Sequence, residues 1–146
     1  MKETMATATT AVVRPFSEDE FIDLGLNLRR NGLSGRQGRK LKRESQVTNF
    51  RSSYTVHPAA IAAIWLDLQT TPFIEYRIDP SIEPSHLLLV YRWLSKYESE
   101  KDLHNTYGYP EKDIRHTCRD LTRKIAALKK IKVSVTAHFN YAISPL

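Results

Sequence analysis

The sequence predicts a small, mainly helical protein, and three observations carry that prediction. A capping signal opens a helix near residue 17, an apolar stretch covers residues 84–97, and apolar residues recur at spacings of four and three after Pro110. The chain has 146 residues, of which 41% are hydrophobic, enough for one modest core. We therefore expect an all-α fold, a small helical domain that contains a helix-turn-helix, with a separate N-terminal helix and a basic linker.

The pattern along the chain divides it into five parts. These are a disordered arm over 1–15, an N-terminal helix over 16–32, a basic linker over 33–48, a helical domain over 49–131 with its helix-turn-helix at 84–131, and a tail over 132–146 whose structure the sequence leaves undetermined. The tail alternates at Val133 and Val135 as a strand would, but a single strand without a partner is not stable.

The N-terminal helix has the clearest local signal. Ser17 followed by Glu20 forms a capping box, and Phe16 with Phe21 occupies the positions of a hydrophobic staple. The helix is acidic at its start and basic near its end, so it could dock on a protein partner or on a second copy of the chain. A protein-interaction module with an incidental basic surface is therefore the alternative to the function developed below.

The balance of charge points to an anionic partner. The chain has 22 Lys and Arg residues against 16 acidic ones, a net charge of +6, and a pI near 9.5. A dense basic run lies in the predicted linker and comprises Arg36, Arg39, Lys40, Lys42 and Arg43. This run could contact DNA phosphates or a minor groove, act as a nuclear-import signal, or form a solvated linker.

Several classes of protein are disfavoured by what the sequence lacks. Cys118 is the only cysteine, so neither an internal disulfide nor a zinc site built on cysteines is expected. The five histidines are scattered without metal-ligand spacing, and no phosphate-binding glycine loop or acid–base pair is found. No apolar run, Leu87–Val90 included, is long enough to span a bilayer. We expect no enzyme activity, no metal, no cofactor and no membrane contact.

The last third of the chain predicts the helix-turn-helix. Ser99 and Asp102 cap a short helix, and Gly108 suits a turn in which the backbone must become left-handed. Pro110 begins a longer helix of about twenty residues. Tyr109 is expected to insert its ring between these two helices.

The longer helix predicts a surface that could enter the DNA major groove. Its inner face is formed by Ile114, Cys118, Leu121, Ile125 and Leu128. Its outward residues, and the candidate DNA contacts, are Lys112, Arg115, His116, Arg119 and Arg123. The alternative is an ordinary solvated helix face, because outward Lys and Arg are common on amphipathic helices.

Two sequence blocks give the chain a resemblance to a known family. The first is FRSSYTVHP at Phe50–Pro58 with the helix after it, and the second is LLLVYRWL at Leu87–Leu94 with Tyr107-Gly108-Tyr109 and Ile114. They resemble the N-terminal helix-turn-helix region of Harbinger-type transposases of the DDE superfamily. The resemblance implies recognition of double-stranded DNA, in that family at transposon ends, and a nuclear location. The family's nuclease domain, with its three metal-binding carboxylates, has no counterpart in this sequence, so we expect binding without cleavage.

Overall fold

A computed structural model describes the backbone of residues 12–31 and 42–143, and the side chains of residues 12–28 and 42–131. The described elements are helices α1 (Glu18–Asn31), α2 (Arg43–Tyr54), α3 (Pro58–Thr70), α4 (Pro84–Lys96), α5 (Glu100–Tyr107) and α6 (Glu111–Ile143), with one 3-10 turn at Ile74–Tyr76. The all-α prediction is confirmed over these residues.

Helix α1 begins as its sequence signal predicts. The Glu20 N–H donates to Ser17 Oγ over 3.1 Å, and the Ser17 N–H donates back to Glu20 Oε1 over 3.4 Å. The Phe16 and Phe21 rings meet edge to face with centroids 4.6 Å apart. The prediction of a separate helix is wrong, however, because α1 packs against α2, α3, α4 and α5, with Phe21 and Ile22 fully buried.

Helix α2 replaces the last part of the predicted linker. Residues 43–48, expected to belong to a mobile segment, are its first half, whereas residues 32–41 lie outside the described residues. The sequence of this helix has almost no apolar period, and Phe50 and Tyr54 are its only buried residues. Contact with α1 supplies what the local pattern lacks, since tertiary packing provides most of the stability of a short helix.

The contact between α1 and α2 depends on a glycine in the middle of α1. A Cβ atom at Gly25 would lie 2.7 Å from Phe50 Cε2 and 2.8 Å from Tyr54 Cε2. The absence of a side chain lets the two buried rings approach the α1 backbone. The Tyr54 hydroxyl then donates a hydrogen bond to the Gly25 carbonyl over 2.8 Å.

The segment before α1 is docked on α3. Trp65 Nε1 donates to the Arg14 carbonyl over 2.7 Å, and the Arg14 N–H donates to Gln69 Oε1 over 2.7 Å. The Arg14 guanidinium lies 5.3 Å from the Trp65 ring centroid and donates to the Ile82 carbonyl. The predicted disordered arm over 1–15 therefore extends too far at its C-terminal end; residues 1–11 lie outside the described residues.

Helix α4 is central, as its apolar sequence predicts. Leu87–Val90 are fully buried, and α4 contacts every other helix described above. Arg92 is also buried, with its charge compensated by two partners: Nε donates to Glu98 Oε1 over 2.7 Å, and NH1 donates to the Ser53 carbonyl over 2.7 Å. These bonds tie the end of α2 to the segment before α5.

Helix α6 runs on through most of the tail whose structure the sequence left open. It has 33 residues and ends at Ile143, so the backbone of residues 132–143 is helical and residues 144–146 lie outside the description. The sequence from Glu111 to Ile143 contains neither glycine nor proline, and Pro145 follows shortly after. Without a breaker, nothing in the local chemistry ends the helix earlier.

We predict that Gly25→Ala destabilises the fold. The new methyl group would collide with two buried rings, and such overpacking costs about 1–3 kcal/mol. The higher helix propensity of alanine returns at most about 1 kcal/mol. Urea unfolding followed by circular dichroism should therefore show a lower free energy of unfolding.

Asn27→Ala is the matched control, because Asn27 is exposed on the same helix. It should leave stability unchanged or raise it slightly. An increase in stability for Gly25→Ala would show that the ring contact does not constrain the fold.

Candidate nucleic-acid interface

The turn between α5 and α6 has the conformation that its sequence predicts. Ser99 Oγ accepts a hydrogen bond from the Asp102 N–H over 3.2 Å, which caps α5. Gly108 follows the last residue of α5 with φ +80° and ψ 2°, and its N–H donates to the His104 carbonyl over 2.8 Å. Only glycine adopts this left-handed conformation without a steric cost. The turn therefore sets where α6 begins.

Tyr109 does not insert between α5 and α6 as predicted. Its ring stacks on the His86 ring of α4 with centroids 4.2 Å apart, and its hydroxyl contacts Ser85 Oγ. His104 Nδ1 forms a hydrogen bond with the Tyr109 carbonyl oxygen over 2.6 Å. The first turn of α4 offers this ring both a flat partner and a hydroxyl, so Tyr109 fixes the turn to α4.

The inner face of α6 is buried as predicted. Ile114, Cys118 and Leu121 are fully covered, Leu128 is 7% exposed, and Ile125 is partly buried against the same core. Burial raises the pKa of the Cys118 thiol to about 12. The thiolate form is therefore absent near neutral pH, and Cys118 is a packing residue.

The five predicted contact residues of α6 are all exposed. At 3.6 residues per turn, they fall within an arc of about 100° on the side opposite Leu121. They are Lys112, Arg115, His116, Arg119 and Arg123, and we call them the α6 stripe.

One exposed cation of this surface escaped the sequence prediction. Lys130 follows Lys112 by 18 residues, which is five full helical turns, so it continues the line of the α6 stripe. The same geometry could have identified it from the sequence, since the predicted helix was long enough. The structure thus extends the basic surface beyond Arg123.

Two residues of the α6 stripe already have acidic partners. Arg115 donates to both carboxylate oxygens of Glu100, at 2.7 Å from Nε and 3.0 Å from NH2. Arg123 NH2 lies 3.1 Å from Asp120 Oδ1. The bonds from Arg115, with a smaller contribution from the charge of Arg119, lower the pKa of Glu100 below its usual value. Lys112 and Arg119 form no ion pair within the described part of the chain.

Lys124 lies on the same helix but is not part of the α6 stripe. It is buried, and its Nζ lies 3.0 Å from Asp120 Oδ2. Its charge also contributes to lowering the pKa of Asp79, mainly an effect of hydrogen bonds from Ser81. The charge of this lysine is therefore compensated within α6 itself, by Asp120 one turn earlier.

The basic run of the predicted linker divides into two parts. Arg36, Arg39 and Lys40 lie outside the described residues. Lys42 is exposed at the N-cap of α2, and Arg43 is the first residue of that helix. Arg43 pairs with Asp19 and, over 3.2 Å, with Glu18 Oε1. Any phosphate that approached Arg43 would compete with two carboxylates of α1.

Two kinds of feature are absent from the described residues. No group of three or more His, Cys, Asp or Glu side chains there could hold a metal ion. No helix within that part of the chain combines the length and the apolar character needed to cross a membrane.

Comparison with known proteins gives no family assignment. No family model matches the chain, and no significant match to a curated protein or a solved structure was found. The resemblance to the transposase helix-turn-helix region therefore stays a prediction.

We predict that acidification weakens the attachment of the turn to α4. Burial lowers the pKa of the His86 imidazole, partly offset by the Glu83 carboxylate. His86 Nδ1 also accepts a hydrogen bond from the Glu83 N–H over 2.9 Å, which requires an unprotonated nitrogen. Because the unfolded chain binds this proton more readily, the stabilisation is complete above the ordinary histidine pKa of 6.5 and is lost as the pH falls through the lower folded value.

The temperature of the thermal midpoint should therefore decrease as the pH is lowered from 7.5 to about 5. His86→Gln keeps an acceptor for the Glu83 N–H and removes the titration. This variant should depend less on pH than the unsubstituted chain. Identical pH profiles for the two proteins would show that His86 does not couple to folding.

Proposed function

We propose that the protein binds double-stranded DNA by docking the first half of α6 in the major groove. The observation that supports this most directly is that the whole α6 stripe is exposed while the opposite face of the helix is buried. The major groove is about 12 Å wide and admits an α-helix. Arginine can donate two hydrogen bonds to guanine, and lysine pairs with guanine or phosphate.

The length of the stripe suggests two kinds of contact. From Lys112 to Arg119 the helix rises about 10 Å, which matches roughly three base pairs. Residues in this interval are suited to base edges. Arg123 and Lys130 lie farther along a straight helix, which leaves the curved groove, so they are suited to phosphates.

The alternative function, a protein-interaction module that docks through α1, is disfavoured because α1 is packed within the fold. The apolar side of α1 faces the core through Phe21 and Ile22, and two acids of its first turn pair with Arg43. No apolar face of α1 is left for a protein partner or a second copy within its described side chains. The charge distribution on α6 favours a polyanion instead.

A transposase-like origin and a nuclear location belong to the same proposal. They rest on the resemblance of residues 50–131 and on the basic surface. On this view the chain acts by binding DNA and not by cutting it, and its targets would resemble transposon ends.

We predict that Lys112→Ala and Arg119→Ala weaken binding. Binding of the unsubstituted chain to a duplex selected from a random pool can be measured by fluorescence anisotropy. The logarithm of its binding constant should fall with the logarithm of the salt concentration with a slope of about −4 to −7, as expected for five to eight neutralised phosphates. Arg119→Ala should cost roughly 1–3 kcal/mol if it contacts a base, and reduce discrimination at one position.

Lys96→Ala is the matched control, because it removes one exposed charge from the end of α4 and leaves α6 intact. It should bind as the unsubstituted chain does. No duplex binding at 50 mM salt, or losses equal to those of the control, would refute the proposal.

We also predict that Glu100→Gln strengthens DNA binding. The substitution releases the Arg115 guanidinium from its two bonds and removes a negative charge beside Arg119. If Arg115 then reaches a phosphate, the salt slope should steepen by about 0.9. The pair is exposed, so its loss should change the stability of the fold little.

A double-mutant cycle separates this effect from a general change of charge. Arg115→Ala should cost more affinity in the Glu100→Gln background than alone. Glu75→Gln, which removes an exposed acid from the 3-10 turn, is the control and should not alter the effect of Arg115→Ala. Equal costs in both backgrounds would mean that Glu100 does not restrain Arg115.

A further inference from the structure

A surface cavity of about 350 Å³ lies where α2 meets α3. Its volume falls within the range of about 300–1,000 Å³ that is common for small-molecule sites. The residues that line it are Thr48, Arg51, Ser52, Thr55, Val56 and His57. All of these except Val56 have polar side chains, and no carboxylate is among them.

The sequence block at Phe50–Pro58 builds one wall of this cavity. Its buried members, Phe50, Tyr54 and Pro58, anchor the segment in the core. Its exposed members are Arg51, Ser52, Thr55 and His57, and all four line the cavity. The packing that fixes the apolar residues therefore also fixes the polar ones.

Arg51 brings an uncompensated charge to the cavity. It forms no ion pair with any of the described residues, whereas Arg43, Arg92, Arg115 and Arg123 each pair with a carboxylate. Its guanidinium is a planar fork that matches the oxygens of a phosphate.

The other donors come from three side chains. His57 Nδ1 accepts a hydrogen bond from the Ala59 N–H over 3.1 Å, so the neutral ring has its proton on Nε2. Ser52 and Thr55 add hydroxyl groups. With Arg51, the cavity therefore contains one cation and three neutral groups that can donate hydrogen bonds to an anion.

The backbone at the cavity is held in an uncommon conformation. Thr55 has φ +59° and ψ 28°, in the left-handed region, which is costly for a β-branched residue. Its N–H donates to the Arg51 carbonyl over 2.8 Å, which closes the end of α2. Glycine would adopt this backbone conformation at a lower conformational free energy. Thr55 instead places a hydroxyl group on the cavity wall.

We propose that this cavity binds a phosphate group through Arg51, Ser52, Thr55 and His57. Two sources share that chemistry: a phosphodiester of duplex DNA and a free phosphate monoester. The proposal does not rest on docking of α6, because none of the cavity residues belongs to that helix.

The test is an NMR titration of the full chain with sodium phosphate, against sodium chloride at equal ionic strength. The backbone amides of Ser52, Thr55 and His57 should shift saturably with phosphate and not with chloride. Arg51→Gln should weaken this binding roughly tenfold or more, because hydrogen bonds to a charged group are lost. Arg51→Lys, which keeps the charge and loses the fork, should fall between the two.

Lys96→Gln is the control, because it removes one positive charge outside the cavity and should bind phosphate as the unsubstituted chain does. Titration with duplex DNA then identifies the source. If the same amides shift and Arg51→Gln reduces the magnitude of the salt slope by about 0.9, the group is a DNA phosphodiester. If duplex leaves these amides unmoved, the group is a free phosphate.

The absence of any Arg51-dependent shift with both phosphate and duplex would overturn the proposal. Phosphate binding by a chain that fails to bind duplex would support the cavity and refute the function proposed for α6. The two proposals can therefore fail separately.

Discussion

The burial of α4 is the constraint on which the rest of the described structure depends. Leu87–Val90 cover most of the circumference of this helix, and every other described helix packs on it. Each neighbour must turn its apolar side toward α4, because a helix that is apolar all round is stable only inside a core. The orientation of α6 follows from this, since Ile114 and Cys118 face inward and the α6 stripe faces outward.

The sequence predicts those features whose chemistry is local. Ser17 and Glu20 bond to each other across one turn, Gly108 takes its left-handed conformation alone, and the α6 stripe follows from the period of one helix. These signals act over a few residues, so no knowledge of the remaining fold is needed. The central place of α4 is equally visible, because its apolar residues are contiguous.

The features that the sequence misses depend on partners far along the chain. Helix α2 has two buried residues and a basic start, so only its contacts with α1 distinguish it from a linker. Arg14 is ordered by Trp65, which lies 51 residues away. The Tyr109 ring stacks on His86 of α4 and does not lie between α5 and α6. In each case a tertiary contact outweighs a weak local preference.

The buried position of Cys118 gives this protein an internal reporter of its own opening. The chain has one thiol, and it lies in the face of α6 that packs on the core. A thiol-specific reagent reaches it only when α6 separates from the body or the chain unfolds, so the labelling rate measures the population of those open states. Ligands that stabilise the closed form would slow this modification without contacting the sulfur atom.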